Sequence, residues 1–285
     1  MLLKTTSAGH SGFTKGSLQA KAASDMLELS QKQIAEYKRS GIFSFRMHEE
    51  SCRLLSDIRA RVNHHFPESA QYYTSMDDET YRSIVAKAQD EINALSFTTE
   101  FCRLEKQRIG KILQNDDFSV TRISYLRATR PDKKRIQENV GFHRESFWNE
   151  NMKYGVNIWI PLLNVTSSNS LQYVPESQNI PDANIETINE GEKSSTVAKH
   201  SSGHKIGLLY DVKTITSGVD FSNTKRISLP EDHYVIFDTN LIHGAASNES
   251  TDIRFSLDFR VLPNDKVDED LDNFASQGKM WTRLE

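Results

Sequence analysis

Two histidines and one carboxylate stand out in this sequence as candidate ligands of a metal ion. His143 and Glu145 are two residues apart in a segment flanked by aromatic residues, and His243 follows in the segment Leu-Ile-His-Gly. On a strand, residues i and i+2 point to the same face, so His143 and Glu145 can bind one cation together while Arg144 faces away. Two imidazoles and one carboxylate suit Fe(II) with open coordination positions. The pattern therefore predicts an iron site.

An arginine in the last long strand-like segment indicates what else this site holds. In residues 252–261, Arg254, Ser256 and Asp258 share one face, and the other face carries Ile253, Phe255, Leu257 and Phe259. A guanidinium binds a carboxylate through two parallel hydrogen bonds. Arg254 lies 11 residues after His243 (254 minus 243), so a dicarboxylate can chelate iron with one end and reach Arg254 with the other. The molecule 2-oxoglutarate has that shape. The alternative is a structural salt bridge from Arg254 to Asp258 or to a second aspartate, Asp238.

The apolar pattern changes from helical to strand-like near residue 118, which indicates how the chain positions these side chains. Helical periodicity covers residues 25–40, 48–63, 78–94 and 98–114. Gly41 is the predicted C-cap of the first helix, and Asp77 or Asp78 the N-cap of the third. A short strand is predicted over 42–47, after the first helix. Strand-like patterns cover residues 118–127, 156–163, 170–175, 205–210, 226–229, 234–238 and 252–261. Many short strands separated by turn-rich loops are typical of a sandwich or a jelly roll.

The domain organisation follows from the same pattern. We expect a flexible tail over 1–24, one domain over 25–262 and a charged, partly helical C-terminal extension over 263–285. Within the domain, a helical part over 25–117 precedes a β core over 118–262. The polar residues 176–205 are interpreted as a long loop near the site, which favours a small polar substrate.

Composition excludes several classes of partner. The net charge of −4 gives no basic field for nucleic acid, and no apolar run is as long as a membrane span. The two cysteines, Cys52 and Cys102, are too few for a disulfide framework or a four-cysteine zinc site. We therefore expect a cytoplasmic enzyme that acts on a small molecule, without nucleic acid or membrane as a partner.

The motifs together resemble those of the Fe(II)/2-oxoglutarate-dependent dioxygenases, and most closely the phytanoyl-CoA dioxygenase-like branch. Besides the His143, Glu145, His243 and Arg254 series, residues 41–45 (Gly-Ile-Phe-Ser-Phe) and 157–162 (Asn-Ile-Trp-Ile-Pro-Leu) are similar to this branch. Residues 169–178 are similar to its Gly-x-Leu-x-x-x-Pro-Gly-Ser-His element. The resemblance covers roughly residues 27–262. The chain departs from the pattern at four positions, where it has Glu145 instead of aspartate and Ser170, Glu176 and Gln178 instead of glycine, glycine and histidine.

The resemblance implies a fold, a reaction and roles for residues. The fold is mainly β with α: a double-stranded β-helix (jelly-roll, cupin-like) core with the N-terminal helices packed on it. The reaction uses Fe(II), 2-oxoglutarate as cosubstrate and O2, releases succinate, and usually hydroxylates a C–H bond of the substrate. The implied residues are His143, Glu145 and His243 for the metal, Arg254, Ser256, Tyr125 and Asn157 for the cosubstrate, and Arg127, Trp148 and Trp159 for the substrate. Because Glu145 supplies a carboxylate ligand, halogenation is disfavoured.

Three other interpretations remain open at this point. Arg254 and Arg260 are spaced as in the nucleic-acid-demethylating branch of the same superfamily, where Arg260 would be a second cosubstrate ligand. A metal-binding jelly roll without oxygenase activity would be an isomerase or a binding module. A zinc site formed by His200 and His204 is the third alternative.

Overall fold

The structure is a computed structural model that describes residues 29–131, 141–189, 202–207, 213–272 and 279–285. The tail predicted over 1–24 and the imidazole groups of the alternative zinc pair, His200 and His204, lie outside this description. Among the described residues, no helix is long and apolar enough to span a membrane.

The N-terminal half is helical, as predicted. Its helices, and two short helices later in the chain, are α1 (Gln31–Ser40), α2 (Glu49–His65), α3 (Ala70–Thr74), α4 (Asp78–Ala94), α5 (Phe97–Leu104), α6 (Lys106–Leu113), α7 (Ser202–Lys205) and α8 (Glu269–Asp272). Both predicted end caps are confirmed. Gly41 ends α1 in the left-handed region, with φ of 73°, which glycine adopts without steric cost. The Asp77 side chain accepts a hydrogen bond from the backbone N–H of Thr80 at the start of α4.

The single helix predicted over 98–114 is wrong, because the chain breaks at Glu105 into α5 and α6. The Glu105 side chain is fully buried, and it accepts hydrogen bonds from the Ser51 hydroxyl at 2.8 Å and the Tyr234 hydroxyl at 3.1 Å. Arg108 neutralises the carboxylate at 2.7 Å. Ser51 and Tyr234 come from distant parts of the sequence, so their contacts hold Glu105 at the break without any sign in the local periodicity.

The described residues form twelve strands, which agree only in part with the strands predicted from the sequence. The strands of the described residues are β1 (Ile42–Arg46), β2 (Phe118–Thr121), β3 (Tyr125–Thr129), β4 (Val156–Leu163), β5 (Gln172–Tyr173), β6 (Glu186–Asn189), β7 (Lys213–Ser217), β8 (Lys225–Arg226), β9 (His233–Asp238), β10 (His243–Gly244), β11 (Arg254–Pro263) and β12 (Trp281–Arg283). They pair antiparallel in a large sheet of order β1-β9-β4-β11-β2-β12, with β3 also pairing with β11, and in smaller sheets β10-β5-β8 and β6-β7.

The large sheet carries the helices on one face and the site on the other. Leu55 and Ile58 of α2 and Ile92 of α4 join Ile158 of β4 and Phe259 of β11 in one buried core. The predicted alternation of β4 is confirmed, because the side chains of its even-numbered residues belong to this core while those of Asn157 and Trp159 line a cavity on the opposite face.

Four predictions about strands need correction. The single strand predicted over 118–127 is two strands, β2 and β3, because the Asn93 side chain of α4 accepts a hydrogen bond at 2.9 Å from the backbone of Ser124, which lies between them. Thr121 and Tyr125 therefore do not lie on one face of a single strand. Of the strand predicted over 205–210, Lys205 ends α7 and residues 206–207 form a turn; the rest lies outside the description. The segment interpreted as a loop over 176–205 contains strand β6. The segment 263–285, which we predicted as a partly helical extension, contains the short helix α8 and also adds β12 to the large sheet beside β2.

Candidate active site

His143 and His243 are held side by side by main-chain hydrogen bonds. The backbone N–H of each residue donates to the carbonyl of the other, at 2.9 Å and 3.0 Å. The imidazole centroids are 4.4 Å apart, and both side chains are almost fully buried. Two residues that are distant in sequence are thus held together by main-chain hydrogen bonds. This pairing of the backbones does not require either imidazole.

Each imidazole is oriented by a carbonyl close to it in the chain. The Nδ1 atom of His143 lies 2.7 Å from the carbonyl oxygen of Gly141, and Nδ1 of His243 lies 2.9 Å from that of Leu241. Because a carbonyl only accepts, Nδ1 must carry the proton, which leaves Nε2 of a neutral ring with a lone pair for a metal. Burial lowers the pKa of both histidines, so the neutral form is favoured.

Glu145 completes the site from a different backbone conformation than the strand we predicted. It begins a 3₁₀ turn, Glu145–Phe147, and its backbone N–H donates to the carbonyl of Thr239 at 2.9 Å. Its side chain nevertheless meets the two imidazoles: the ligand atoms of His143, Glu145 and His243 lie within 4.8 Å of one another. Arg144 faces away, as predicted, and binds the Ser177 carbonyl at 2.8 Å.

The two oxygens of the Glu145 carboxylate have different surroundings. Oε1 accepts hydrogen bonds from Arg260 at 2.7 Å and from the Asn157 amide at 3.3 Å. Oε2 is buried and has no hydrogen-bond partner among the described residues. Burying a charged oxygen without a partner is costly unless a cation or a donor lies beside it. The donor set of two oriented imidazoles and this carboxylate therefore fits a divalent metal ion.

Behind Glu145, the charged side chains form a linear series of ion pairs. Arg260 pairs with Asp258 at 2.8 Å as well as with Glu145, and Asp258 also binds Arg127 at 2.6 Å and 3.2 Å. Burial acts to raise the pKa of Asp258, but the two arginines outweigh it and lower the pKa, so Asp258 stays ionised. The charges of the four side chains sum to zero.

Arg254 lies at the start of β11 with its side chain buried. Its Nη2 atom donates to the Thr129 hydroxyl at 2.5 Å and its Nη1 atom donates to the Ser256 hydroxyl at 3.2 Å. Ser256 does not line the cavity and contributes through this contact. The two aspartates considered as alternative partners are occupied elsewhere: Asp258 pairs with Arg127 and Arg260, and Asp238 accepts a hydrogen bond from the backbone of Asn240 at 2.7 Å.

A cavity of about 290 Å³ brings the candidate residues together. The predicted site residues that line it are Tyr125, Arg127, His143, Glu145, Trp148, Asn157, Trp159, His243 and Arg254. The indole Nε1 of Trp159 and the amide Oδ1 of Asn157 are buried and have no hydrogen-bond partner among the described residues. A molecule in the cavity can therefore meet one more buried donor and one more buried acceptor.

Comparison with known proteins identifies the architecture. No protein-family model and no curated protein matches the sequence. Among solved structures, the chain is similar to EvdO2 from Micromonospora carbonacea var. aurantiaca complexed with 2-oxoglutarate, with a TM-score of 0.55 and 12% identity over 83% of this chain and 91% of that one. It is also similar to the epimerase SnoN in complex with Fe3+, alpha-ketoglutarate and nogalamycin RO, with a TM-score of 0.50 and 10% identity over 92% of this chain and 100% of that one.

The chain has the fold of the Fe/2-oxoglutarate-dependent oxygenases. The predicted jelly-roll core with packed helices is thereby confirmed. The phytanoyl-CoA dioxygenase-like branch stays a prediction.

Within this oxygenase fold, sequence reasoning missed several residues of the site. Arg260 was weighed only as a second cosubstrate ligand, although it continues the alternation of Arg254, Ser256 and Asp258 along β11 and so falls on the cavity side. Met152 and Met280 also line the cavity. The local sequence does not predict that Met280 lines the cavity, because this residue precedes a three-residue strand in a segment without clear alternation of polar and apolar residues.

Replacing Arg260 with lysine should destabilise the protein by about 2 kcal/mol, because one ammonium cannot replace the contacts to both Glu145 and Asp258. Urea unfolding of the metal-free variant measures this loss. The matched control is Arg122→Lys, since the Arg122 side chain is exposed. Equal stability of the two variants would show that the pairs made by Arg260 contribute little.

Proposed function

We propose that the protein is an Fe(II)- and 2-oxoglutarate-dependent oxygenase that hydroxylates a C–H bond of a small molecule. The observation that carries the proposal is the buried cluster of His143, Glu145 and His243, whose ligand atoms lie within 4.8 Å of one another and whose imidazole Nδ1 atoms are held by carbonyls. The similarity in fold to EvdO2 and SnoN, whose structures contain 2-oxoglutarate, supports it. Two unpaired cysteines, Cys52 and Cys102, agree with a role in the cytoplasm.

His143, Glu145 and His243 would hold the metal from one side and leave its other positions open. When bound, the metal would couple the oxidation of 2-oxoglutarate to succinate and CO2 with the hydroxylation of the substrate, so that one oxygen atom of O2 would enter succinate and the other the new hydroxyl group. The chain itself contributes orientation. The carbonyls of Gly141 and Leu241 keep Nε2 of each imidazole available, and Arg260 holds the Glu145 carboxylate in place through Oε1.

Arg254 would bind the distal carboxylate of 2-oxoglutarate. The Thr129 and Ser256 hydroxyls fix the guanidinium on the floor of the cavity, so little freedom is lost when the carboxylate binds. The free Nε1–H of Trp159 and the amide of Asn157 on the neighbouring strand β4 provide further polar contacts, and Tyr125 provides part of the wall. We assign the chain to the phytanoyl-CoA dioxygenase-like branch on its sequence motifs.

The test combines binding and turnover. Under argon, 2-oxoglutarate should bind much more tightly to protein loaded with Mn(II) than to metal-free protein, as measured by calorimetry. With Fe(II) and air, slow substrate-independent formation of succinate should follow. Glu145→Gln should lose both properties, while Glu68→Gln, at an exposed position, should keep them. Metal-independent binding of 2-oxoglutarate without succinate would reject the oxygenase and favour a jelly-roll binding module.

A further inference from the structure

Part of the cavity lining is apolar and includes Trp148, Met152 and Met280. The Trp148 ring lies 5.3 Å from the His143 ring, between centroids, and Met152 and Met280 line the same cavity. Both methionines are nearly buried, at 4% and 9% exposure. They form a small hydrophobic cluster with Leu262 and Trp281, separate from the main core. The two methionines of this cluster therefore contribute apolar surface to the cavity.

The backbones of the two methionines are fixed, whereas their side chains are adaptable. The carbonyl of Met152 accepts hydrogen bonds from the Thr239 hydroxyl and from the backbone of Gly155. Met280 donates to the carbonyl of Asp272 at 2.8 Å and accepts from the backbone of Arg122 at 2.8 Å. An unbranched thioether chain on a fixed backbone fits itself to irregular apolar surfaces and to the faces of rings.

The charged side chains that line the cavity in the described part of the chain offer no partner for an ionised substrate. Arg127, Asp258, Arg260 and Glu145 neutralise one another through contacts of 2.6 to 2.8 Å. Arg254 is assigned to the cosubstrate. A charged substrate group in this cavity would lose water without gaining a counter-ion, which costs several kcal/mol.

The described part of the polar segment 176–205 gives no support to the small polar substrate that the sequence predicts. None of the residues 176–189 lines the cavity, and of the described residues 202–207 only Gly207 does. Gly207 has φ of 77° and lies on the Tyr125 ring, where an added Cβ would come within 2.6 Å of that ring. The described part of the segment therefore contributes only the backbone of Gly207 to the cavity, and no polar side chain.

We infer that the substrate is uncharged and presents an apolar ring or branched hydrocarbon group to Trp148, Met152 and Met280. The statement that the molecule bound at this wall is a substrate rests on the proposed function. The affinity of Trp148, Met152 and Met280 for an apolar group does not rest on the proposed function, because it depends only on these side chains.

Three probes of one shape test the inference: 1-naphthalenemethanol, 1-naphthoate and 1-naphthylmethylammonium. Each is titrated calorimetrically under argon into metal-free protein and into protein loaded with Mn(II) and 2-oxoglutarate. The neutral alcohol should bind at least about a hundredfold more tightly than either ion. Met152→Gln and Met280→Gln should each weaken its binding about tenfold, because an amide in the wall must be desolvated.

Two controls make the result specific. Met280→Leu keeps the wall apolar and should retain most of the affinity. Met76→Gln makes the same substitution at a partly buried methionine that packs against the main core and should change nothing. Equal binding of the three probes, no measurable binding of the alcohol, or no effect of either cavity glutamine would overturn the inference. If the alcohol binds as expected but 2-oxoglutarate does not, the proposed function fails and the apolar site stands.

Discussion

Replacing His243 with alanine should lower the affinity for Mn(II) by more than about a thousandfold, because it removes one of only three ligands. The backbone bridge between His143 and His243 uses main-chain atoms, so the variant should keep its fold. Anaerobic calorimetry with Mn(II) measures the affinity, and far-UV circular dichroism tests the fold. His143→Ala should behave in the same way.

The matched control for these variants is His64→Ala, since the His64 side chain is exposed on the last turn of α2. It should bind Mn(II) as the unmodified protein does. Wild-type affinity in His243→Ala, with His64→Ala also unchanged, would contradict the assignment of His243 as a ligand and with it the proposed metal centre.

Replacing Arg254 with alanine should weaken 2-oxoglutarate binding by about 2–4 kcal/mol, roughly thirtyfold to a thousandfold. The physical reason is the loss of a two-point, charge-assisted contact in a buried position, where Arg254 is 2% exposed. Arg254→Lys should recover only part of the affinity, because an ammonium cannot make the paired contact. The measurement is 2-oxoglutarate binding under argon in the presence of Mn(II).

Two comparisons give this prediction its discriminating power. Arg122→Ala removes an exposed arginine and should leave the affinity unchanged. Arg260→Ala should act through Glu145, so its loss of 2-oxoglutarate affinity should be accompanied by a change in Mn(II) affinity, whereas the loss in Arg254→Ala should not. Equal losses of 2-oxoglutarate affinity at 254 and 260 with unchanged Mn(II) affinity would favour the arrangement in which both arginines bind the cosubstrate.

Local patterns were sufficient to predict the elements that carry the site. The alternation over 156–163 placed Asn157 and Trp159 on the face opposite the core, as the structure has them. The alternation after Arg254 continues through Asp258 to Arg260, and all three line the cavity. Such patterns are informative because a strand with one face on a core and one on a cavity must alternate in polarity.

Features set by long-range contacts were not predictable from local pattern. The break at Glu105 depends on Ser51 and Tyr234, which are far away in the sequence. Glu145 reaches the site from a 3₁₀ turn whose position is fixed by the carbonyl of Thr239. Met280 reaches the cavity only because β12 pairs with β2. In each case the deciding partner lies on another element, so no window of neighbouring residues contains the information.

The bridge between His143 and His243 has a consequence for how the site forms. It closes a loop of 100 residues (243 minus 143), a contact that costs chain entropy and is absent from an unfolded chain. A metal ion held by these residues therefore binds the native state and raises the unfolding midpoint as its concentration rises. Both bridging amides must open together for the two imidazoles to separate, so their hydrogen exchange rates report directly on the opening of the site.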